Sequence, residues 1–397
     1  MRYIIIGAGA IGGVVGGRLA GSGHEVVLVA RGAHFEALRD RGLRLRVPEG
    51  ELIHRLPVVD GPAALGELHP DDVLVLAVKT QDSAAALQTW AAVPVAGGGT
   101  AAERLPLFCA QNGVESQRLA LRLFRRVYGV CVWLPSTYVE PGVVSAAGRP
   151  LTGILHLGPV WQIPACQAVS GTHARRVAEP PTWLRHEGAP APCDRTHQTP
   201  PGPPSGRTTG ICQTGPGRHP HGTDETARLV AADLEKSHFE APVVADVARW
   251  QYAKLLANLG NALEAVTGPV DSEEGAALFR RVRAEGAAVL DAAGIAYAGA
   301  EEQQAVRGDK VSLVPLDGAP RGGGSSWQSL IRGTGTIEAD YLNGEIALLG
   351  RLHGVPTPLN ELLQHLAGTF ARERRAAGSM PVGELVRLAD EAVRTAR

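Results

Sequence analysis

The chain has 397 residues, 44% of them hydrophobic, with 39 basic against 40 acidic side chains. The length predicts two or three domains with a real apolar core, and the balanced charge excludes bulk attraction to nucleic acid or a membrane surface. No run of about 18 apolar residues predicts a membrane-spanning helix.

The N-terminal stretch MRYIIIGAGAIGGVVGG organises the rest. Met1 leads directly into an apolar strand at Tyr3–Ile6, with no charged leader or cleavage site, so no secretory signal is expected. The run Gly7, Ala8, Gly9, Ala10, Ile11, Gly12 follows, then apolar residues at helical spacing (Ile11, Val14, Val15, Leu19). Each glycine has its own task. Gly7 makes a tight turn, Gly9 lets backbone approach a pyrophosphate, and Gly12 lets helix pack on strand. The helix N-terminus offers free N–H groups and its positive dipole end to phosphate. Such a run alone is weak, but strand before, helix after and a second strand at His24–Val29 supply the required context.

After that second strand stands Arg31, where an NAD site usually carries an acid for the ribose 2′-hydroxyl. A guanidinium pairs instead with a 2′-phosphate, so the expected cofactor is NADPH/NADP+. Asp72–Val78 reads as a buried parallel strand ending at Lys79, and Leu105–Ala110 as another ending at Gln111-Asn112-Gly113. Ligands of an open α/β sheet bind outside the carboxyl ends of its strands, which makes Lys79 and Asn112 candidates for contact with cofactor. A surface lysine and a plain turn are the competing readings. Strands are also expected in 43–59 and at Val127–Trp133, with Val143–Leu157 forming an edge hairpin.

The character changes from about Gly158 to Gly217, a segment rich in Pro, Gly, Thr and Arg and without period 2 or 3.6. Such a composition cannot bury enough surface to offset chain entropy, so disorder or an irregular excursion is expected, by insertion or by out-of-frame coding. The five cysteines (109, 131, 166, 193, 212) lack paired spacing, which points to a reducing cytoplasm. Three of them fall in this segment with His173, His186 and His197, but the spacing matches no zinc knuckle and no metal site is expected.

Helical signals resume with Thr223 or Asp224 as an N-cap and continue over 246–266, 272–294, 336–353, 357–374 and 381–395. At helical spacing Lys254, Asn258 and Asn261 fall within roughly 60° of one another. Two asparagines, poor helix formers, beside a lysine on one apolar helix suggest a site more than a solvated face. In the segment 324–344, Thr336 is expected to cap a helix whose first turns hold Glu338 and Asp340, an arrangement that also suits the macrodipole.

With these pieces in place the chain resembles the ketopantoate reductase family (2-dehydropantoate 2-reductases). The resemblance rests on GAGAIG at 7–12 with Arg31, AVKTQD at 77–82, QNGVES at 111–116, WQYAKLLANLGN at 250–261 and SSWQSLIRGTGTIEADYLNG at 325–344. It covers nearly everything outside about 158–217. It implies an α/β Rossmann-type doubly wound domain at 1–157, an irregular insertion at 158–217 and an all-α substrate domain at 218–397. It further implies Lys254 as general acid, Glu338 as the carboxylate anchoring a substrate hydroxyl, and Asn258 and Ser326 as substrate contacts. Asn112 would lie near nicotinamide and substrate, and Lys79 near the cofactor ribose. The family commonly spaces Lys-x3-Asn-x3-Asn; here Asn261 comes one residue early and Ala262 holds the expected place. The implied activity is NADPH-dependent reduction of a 2-oxo acid, ketopantoate first, in pantothenate biosynthesis, in a cytoplasmic protein for which a homodimer is left open. The rivals are a reductase of another branched 2-oxo acid and a non-catalytic NADP(H)-binding regulator.

Overall fold

The computed structural model describes residues 1–160, 224–316 and 323–396. Its first half holds β1 (Arg2–Ile6), α1 (Ala10–Gly21), β2 (Glu25–Val29), α2 (Gly32–Arg41), β3 (Leu43–Val47), β4 (Gly50–His54), β5 (Val58–Val59), β6 (Asp72–Leu76), α3 (Ser83–Ala91), α4 (Ala101–Arg104), β7 (Pro106–Cys109), α5 (Glu115–Ala120) and β8 (Arg126–Trp133). Then come β9 (Ser136–Thr137), β10 (Val143–Ala146), β11 (Gly148–Pro150) and β12 (Gly153–Pro159). The second half adds α6 (Glu225–Lys236), β13 (Phe239–Glu240), α7 (Val247–Asn258), α8 (Gly260–Thr267), α9 (Glu273–Ala292), α10 (Ala300–Arg307) and β14 (Val311–Leu313). It closes with α11 (Ser325–Ile331), α12 (Asn343–His353), α13 (Pro358–Arg372) and α14 (Val382–Thr395).

The main sheet runs β5-β2-β1-β6-β7-β8-β12-β13, parallel except where β12 lies antiparallel to β8. Helices cover it, so its strands are apolar on both faces, and β6, β7 and β12 are buried at every residue. The order reverses between β1 and β6, which opens a crevice at their carboxyl ends. Lys79 follows β6 there, and the glycine run follows β1.

Gly7 has φ of +104°, and a Cβ there would lie 2.7 Å from the Val78 amide nitrogen. A Cβ at Gly12 would stand 2.1 Å from the Gly7 carbonyl oxygen and 2.8 Å from Ile5 Cγ2, so α1 seats on β1 only with glycine there. Gly12→Ala is therefore expected to cost about 2–3 kcal/mol, the scale of core overpacking. The check is a lower urea midpoint at unchanged slope.

The helical half builds a second core in which Leu255, Leu256, Leu259, Leu263, Val282, Ile346, Leu363 and Phe370 meet Val114 from the sheet half. The two halves therefore share buried contacts.

Several expectations need correction. Val143–Leu157 is not an edge hairpin. β10 leaves the main sheet to run parallel to β3 in a four-stranded sheet ordered β4-β3-β10-β9. β11 pairs with β14, and only β12 joins the main sheet. Pro150 has no N–H to extend a ladder, so the stretch divides into short strands with different partners. The sheet also outruns its expected boundary. β12 ends at Pro159, while α6 and β13 pack with the sheet, placing Ala227, Val230, Leu234 and Phe239 in its core. The N-cap of α6 is Asp224, whose carboxylate accepts from the Thr226 amide at 2.7 Å.

The helix expected over 246–266 divides at Leu259 into α7 and α8. The helix expected from 336 begins only at Asn343, because Glu338–Tyr341 forms a 3₁₀ turn and Leu342 (φ −113°, ψ −84°) breaks the run. Asn343 then donates its amide to the Leu259 carbonyl and to Asn360 Oδ1, at 3.2 and 3.0 Å, tying this break to the α7–α8 break. The irregular 158–217 segment, with its cysteines and histidines, lies from residue 161 outside the described residues. Among those described, no helix is long and apolar enough to cross a membrane, and no cluster of three His, Cys, Asp or Glu could hold a metal.

Candidate active site

A cavity of about 950 Å³ lies where the sheet crevice meets the helical half. From the sheet half it is lined by Gly7, Gly9, Ala10 and Ile11 of the glycine run, with Lys79 and Asn112. From the helical half come Lys254, Asn258, Asn261 and Glu338. Despite the break at Leu259, the Lys–Asn–Asn stripe still faces one space.

The glycine run has the geometry of a phosphate cradle. Gly9 is the N-cap of α1, and among the described residues no side chain caps that terminus and a Cβ on Gly9 would meet only the edge of Tyr138 at 4.0 Å. Open space over uncapped amides at a helix N-terminus is what a pyrophosphate requires. Ala8 faces inward, and its carbonyl accepts from His34 Nε2 at 2.7 Å. The Gly142 amide donates to His34 Nδ1 at 2.9 Å, which fixes the proton on Nε2. Burial lowers the His34 pKa and keeps this ring neutral, so the cradle is clamped by an uncharged imidazole.

Lys254 is the most perturbed cation of the cavity. Its Nζ lies 3.9 Å from the centre of the Trp133 ring. Burial pushes the ammonium down to about 8; the Cys131 thiol opposes the shift and the Arg307 charge adds to it. Cys131 is no competing acid, since burial pushes its thiol up to about 12. Asn258 is buried, and its Nδ2 has no hydrogen-bond partner among the described residues. Asn258 lines the cavity, and a buried amide N–H left without a partner there is a candidate donor for a ligand.

Glu338 is held from across the halves. Its Oε1 accepts from the Thr80 amide at 3.0 Å and the Thr80 hydroxyl at 3.1 Å, and its Oε2 from Lys79 Nζ at 2.5 Å. Its side chain is only 4% exposed, against 31% for Lys79. The residue expected to bind substrate also joins the helical half to the loop after β6.

Four expected residues stand away from the cavity lining: Ala8, which is turned inward, and three others. Gly12 packs on β1. Arg31 is exposed as the N-cap of α2, just past the end of β2. Ser326 is buried behind the wall, because the cavity receives Ser325 and Gln328 of α11 and Arg332 at its C-terminal end, while Ser326 is turned about 100° from Ser325. Its hydroxyl has no partner among the described residues.

Sequence reasoning missed Gln328, Arg332 and Thr80. Gln328 accepts from the Tyr138 amide and donates to the Ser136 and Gly323 carbonyls, closing the wall. Arg332 donates to the Tyr138 carbonyl at 2.6 Å and lies over the Tyr138 ring, and burial lowers its pKa. Their i, i+4 spacing within QSLIR was the available signal.

Comparison with known proteins decides the family. The model of ketopantoate reductase PanE/ApbA matches residues 3–160, and that of its C-terminal domain matches 246–371. The chain belongs to the ketopantoate reductase family. A 2-dehydropantoate 2-reductase of Mesorhizobium japonicum is 29% identical over 94% of this chain and 99% of its own, and one of Pyrococcus horikoshii is 23% identical over 96% and 100%. Among solved structures, a PanE/ApbA family ketopantoate reductase from Ralstonia eutropha JMP134 has a TM-score of 0.64 at 24% identity, covering 94% of this chain and all of its own. A D-mandelate dehydrogenase solved with NADH and anilino(oxo)acetate shares the fold equally well, at a TM-score of 0.64 and 18% identity, covering 95% and 100%.

Proposed function

We propose that the protein reduces a 2-oxo acid with NADPH, and that the acid is 2-dehydropantoate. The observation that carries the reading is a depressed lysine ammonium, an unpaired asparagine amide and a buried carboxylate facing one cavity whose other wall is the phosphate cradle. The main-chain amides after Gly9 would hold the pyrophosphate, Arg31 the 2′-phosphate at the rim, and Lys79 and Asn112 the ribose and nicotinamide side. When bound, the reduced nicotinamide supplies the hydride.

The protein's own share is electrostatic. As negative charge develops on the keto oxygen, the Lys254 ammonium stabilises it and transfers a proton from Nζ to that oxygen. Desolvation weakens the lysine as a base, so the transfer needs less driving force than from an exposed lysine. Asn258 donates to the substrate with an amide that has no other partner among the described residues. Glu338 accepts from the substrate hydroxyl, while Asn261, Gln328 and the hydroxyl of Ser325 complete the polar wall. Arg332 stands ready for the substrate carboxylate. Closure of the two halves would exclude water from this chemistry.

The test follows consumption of NADPH by the full chain with 2-dehydropantoate, beside NADH. Wild type is expected to prefer NADPH, and Arg31→Ala to weaken NADPH about tenfold or more while leaving NADH nearly unchanged, since one charge-assisted phosphate contact is lost. Binding of NADPH without turnover of 2-dehydropantoate would overturn the substrate assignment. A second reading keeps the machinery and changes the acid. It is favoured by Asn261, which lines the cavity one residue earlier than the family spacing provides. A panel of branched 2-oxo acids separates the two.

A further inference from the structure

A second cavity of about 190 Å³ opens on the other side of the β8 terminus. Val132 and Leu134 line the main cavity, whereas Trp133 between them lines the second. Its floor is Trp133, Ile154, Trp250 and His156, and its rim carries Arg283 and Arg307.

His156 is the telling residue. It is 2% exposed and stacks on Trp250 with ring centres 4.0 Å apart, yet neither ring nitrogen has a hydrogen-bond partner among the described residues. Two polar atoms of one buried ring are rarely left unpaired unless something enters to meet them. Burial pushes the imidazole down to about 4, so near neutral pH the ring presents one donor and one acceptor and no charge. The cations are at the rim. Arg283 on α9 and Arg307 on α10 are exposed, and neither forms an ion pair among the described residues. Among the described residues no acidic side chain lines the cavity, although the charges of Glu240 and Glu302 reach His156 from outside its lining.

A polar neutral floor, aromatic walls and a cationic rim define the ligand. We propose that this cavity is a second binding site, taking a small aromatic or branched carboxylate whose far end bears a hydroxyl. The carboxylate pairs with Arg283 and Arg307, the body lies against Trp133 and Trp250, and the hydroxyl meets one of the two ring nitrogens of His156. The volume suits such a body, since a cavity of about 150 Å³ already holds benzene. The occupant touches Trp133, over whose ring the Lys254 ammonium also lies, so the site is placed to act on the reductase. That consequence rests on the role proposed for Lys254; binding does not.

The test is calorimetric titration of the full chain with 4-hydroxybenzoate, with benzoate and phenol as comparison probes. Binding is expected near or below about 1 mM for 4-hydroxybenzoate, and weaker for benzoate, which lacks the hydroxyl, and for phenol, which lacks the carboxylate. The exposed-site double variant Arg283→Gln/Arg307→Gln should weaken it at least about tenfold, whereas Asn258→Ala, in the main cavity, should leave it unchanged. His156→Phe should abolish the preference for the hydroxylated probe. No binding by wild type, or binding lost in Asn258→Ala and kept in the arginine variant, would overturn the proposal. Those outcomes are independent of whether 2-dehydropantoate is turned over.

Discussion

Lys254→Met is expected to lower kcat for 2-oxo acid reduction by about 10²–10⁴, the range supplied by a positioned acid and an oxyanion-stabilising charge. Methionine keeps an unbranched apolar stem against Trp133 and removes only the ammonium. Because that ammonium is desolvated, its loss should leave the melting temperature unchanged or raise it, so a collapse of activity cannot be assigned to unfolding. The pH profile gives the sharper test. Burial pushes the Lys254 ammonium down to about 8, and if Lys254 is the proton donor, reduction requires its protonated form. In the wild type kcat/KM should be level on the acid side and fall about tenfold per pH unit once the pH exceeds that value. Lys254→Arg keeps a positive charge that does not titrate in this range, so it should be slow and lack the alkaline limb. An unchanged alkaline limb in Lys254→Arg would assign the titration to another group and sink the role given to Lys254.

The glycine run and its strand were legible because their cause is local. A buried parallel strand must be apolar throughout, and Gly12 must lack a side chain because Gly7 lies five residues back. The Lys254–Asn258–Asn261 stripe was legible for a similar reason, since helical spacing survives the small break at Leu259. What escaped is long-range. Glu338 sits in a 3₁₀ turn and is fixed by Thr80, 258 positions away, so no period in 324–344 could show that the helix starts at Asn343. Ser326 was assigned by resemblance to a motif, but helical geometry gives its place on the cavity wall to Ser325, Gln328 and Arg332. Likewise β10, β11 and β12 look like one alternating stretch, and only their separate partners, β3, β14 and β8, divide them.

Glu338 carries the second large expectation, because it is bound twice over. Its carboxylate is buried and held by Lys79 and Thr80, yet it also lines the cavity where a substrate hydroxyl would need it. The two partners are unequal. Lys79→Met strands a buried carboxylate on Thr80 alone and should cost about 2–3 kcal/mol of stability. Glu338→Gln leaves a lysine that can turn to water and should cost about 1 kcal/mol. The double variant should recover part of the sum, with a coupling of about 1–3 kcal/mol in a denaturant-monitored cycle. Catalysis separates latch from anchor. If Glu338 accepts from the substrate hydroxyl, wild type should favour 2-dehydropantoate over its analogue lacking that hydroxyl, and Glu338→Gln should shrink the preference in kcat/KM by about 10²-fold, since a buried charged acceptor contributes several kcal/mol to discrimination. Lys79→Met should lower kcat/KM for both acids alike, because it disturbs the joint between the halves and not the hydroxyl contact. If Glu338→Gln also lowers both alike, the carboxylate is a latch only, and the hydroxyl must find its acceptor elsewhere on the wall, with Asn261 the nearest candidate by chemistry.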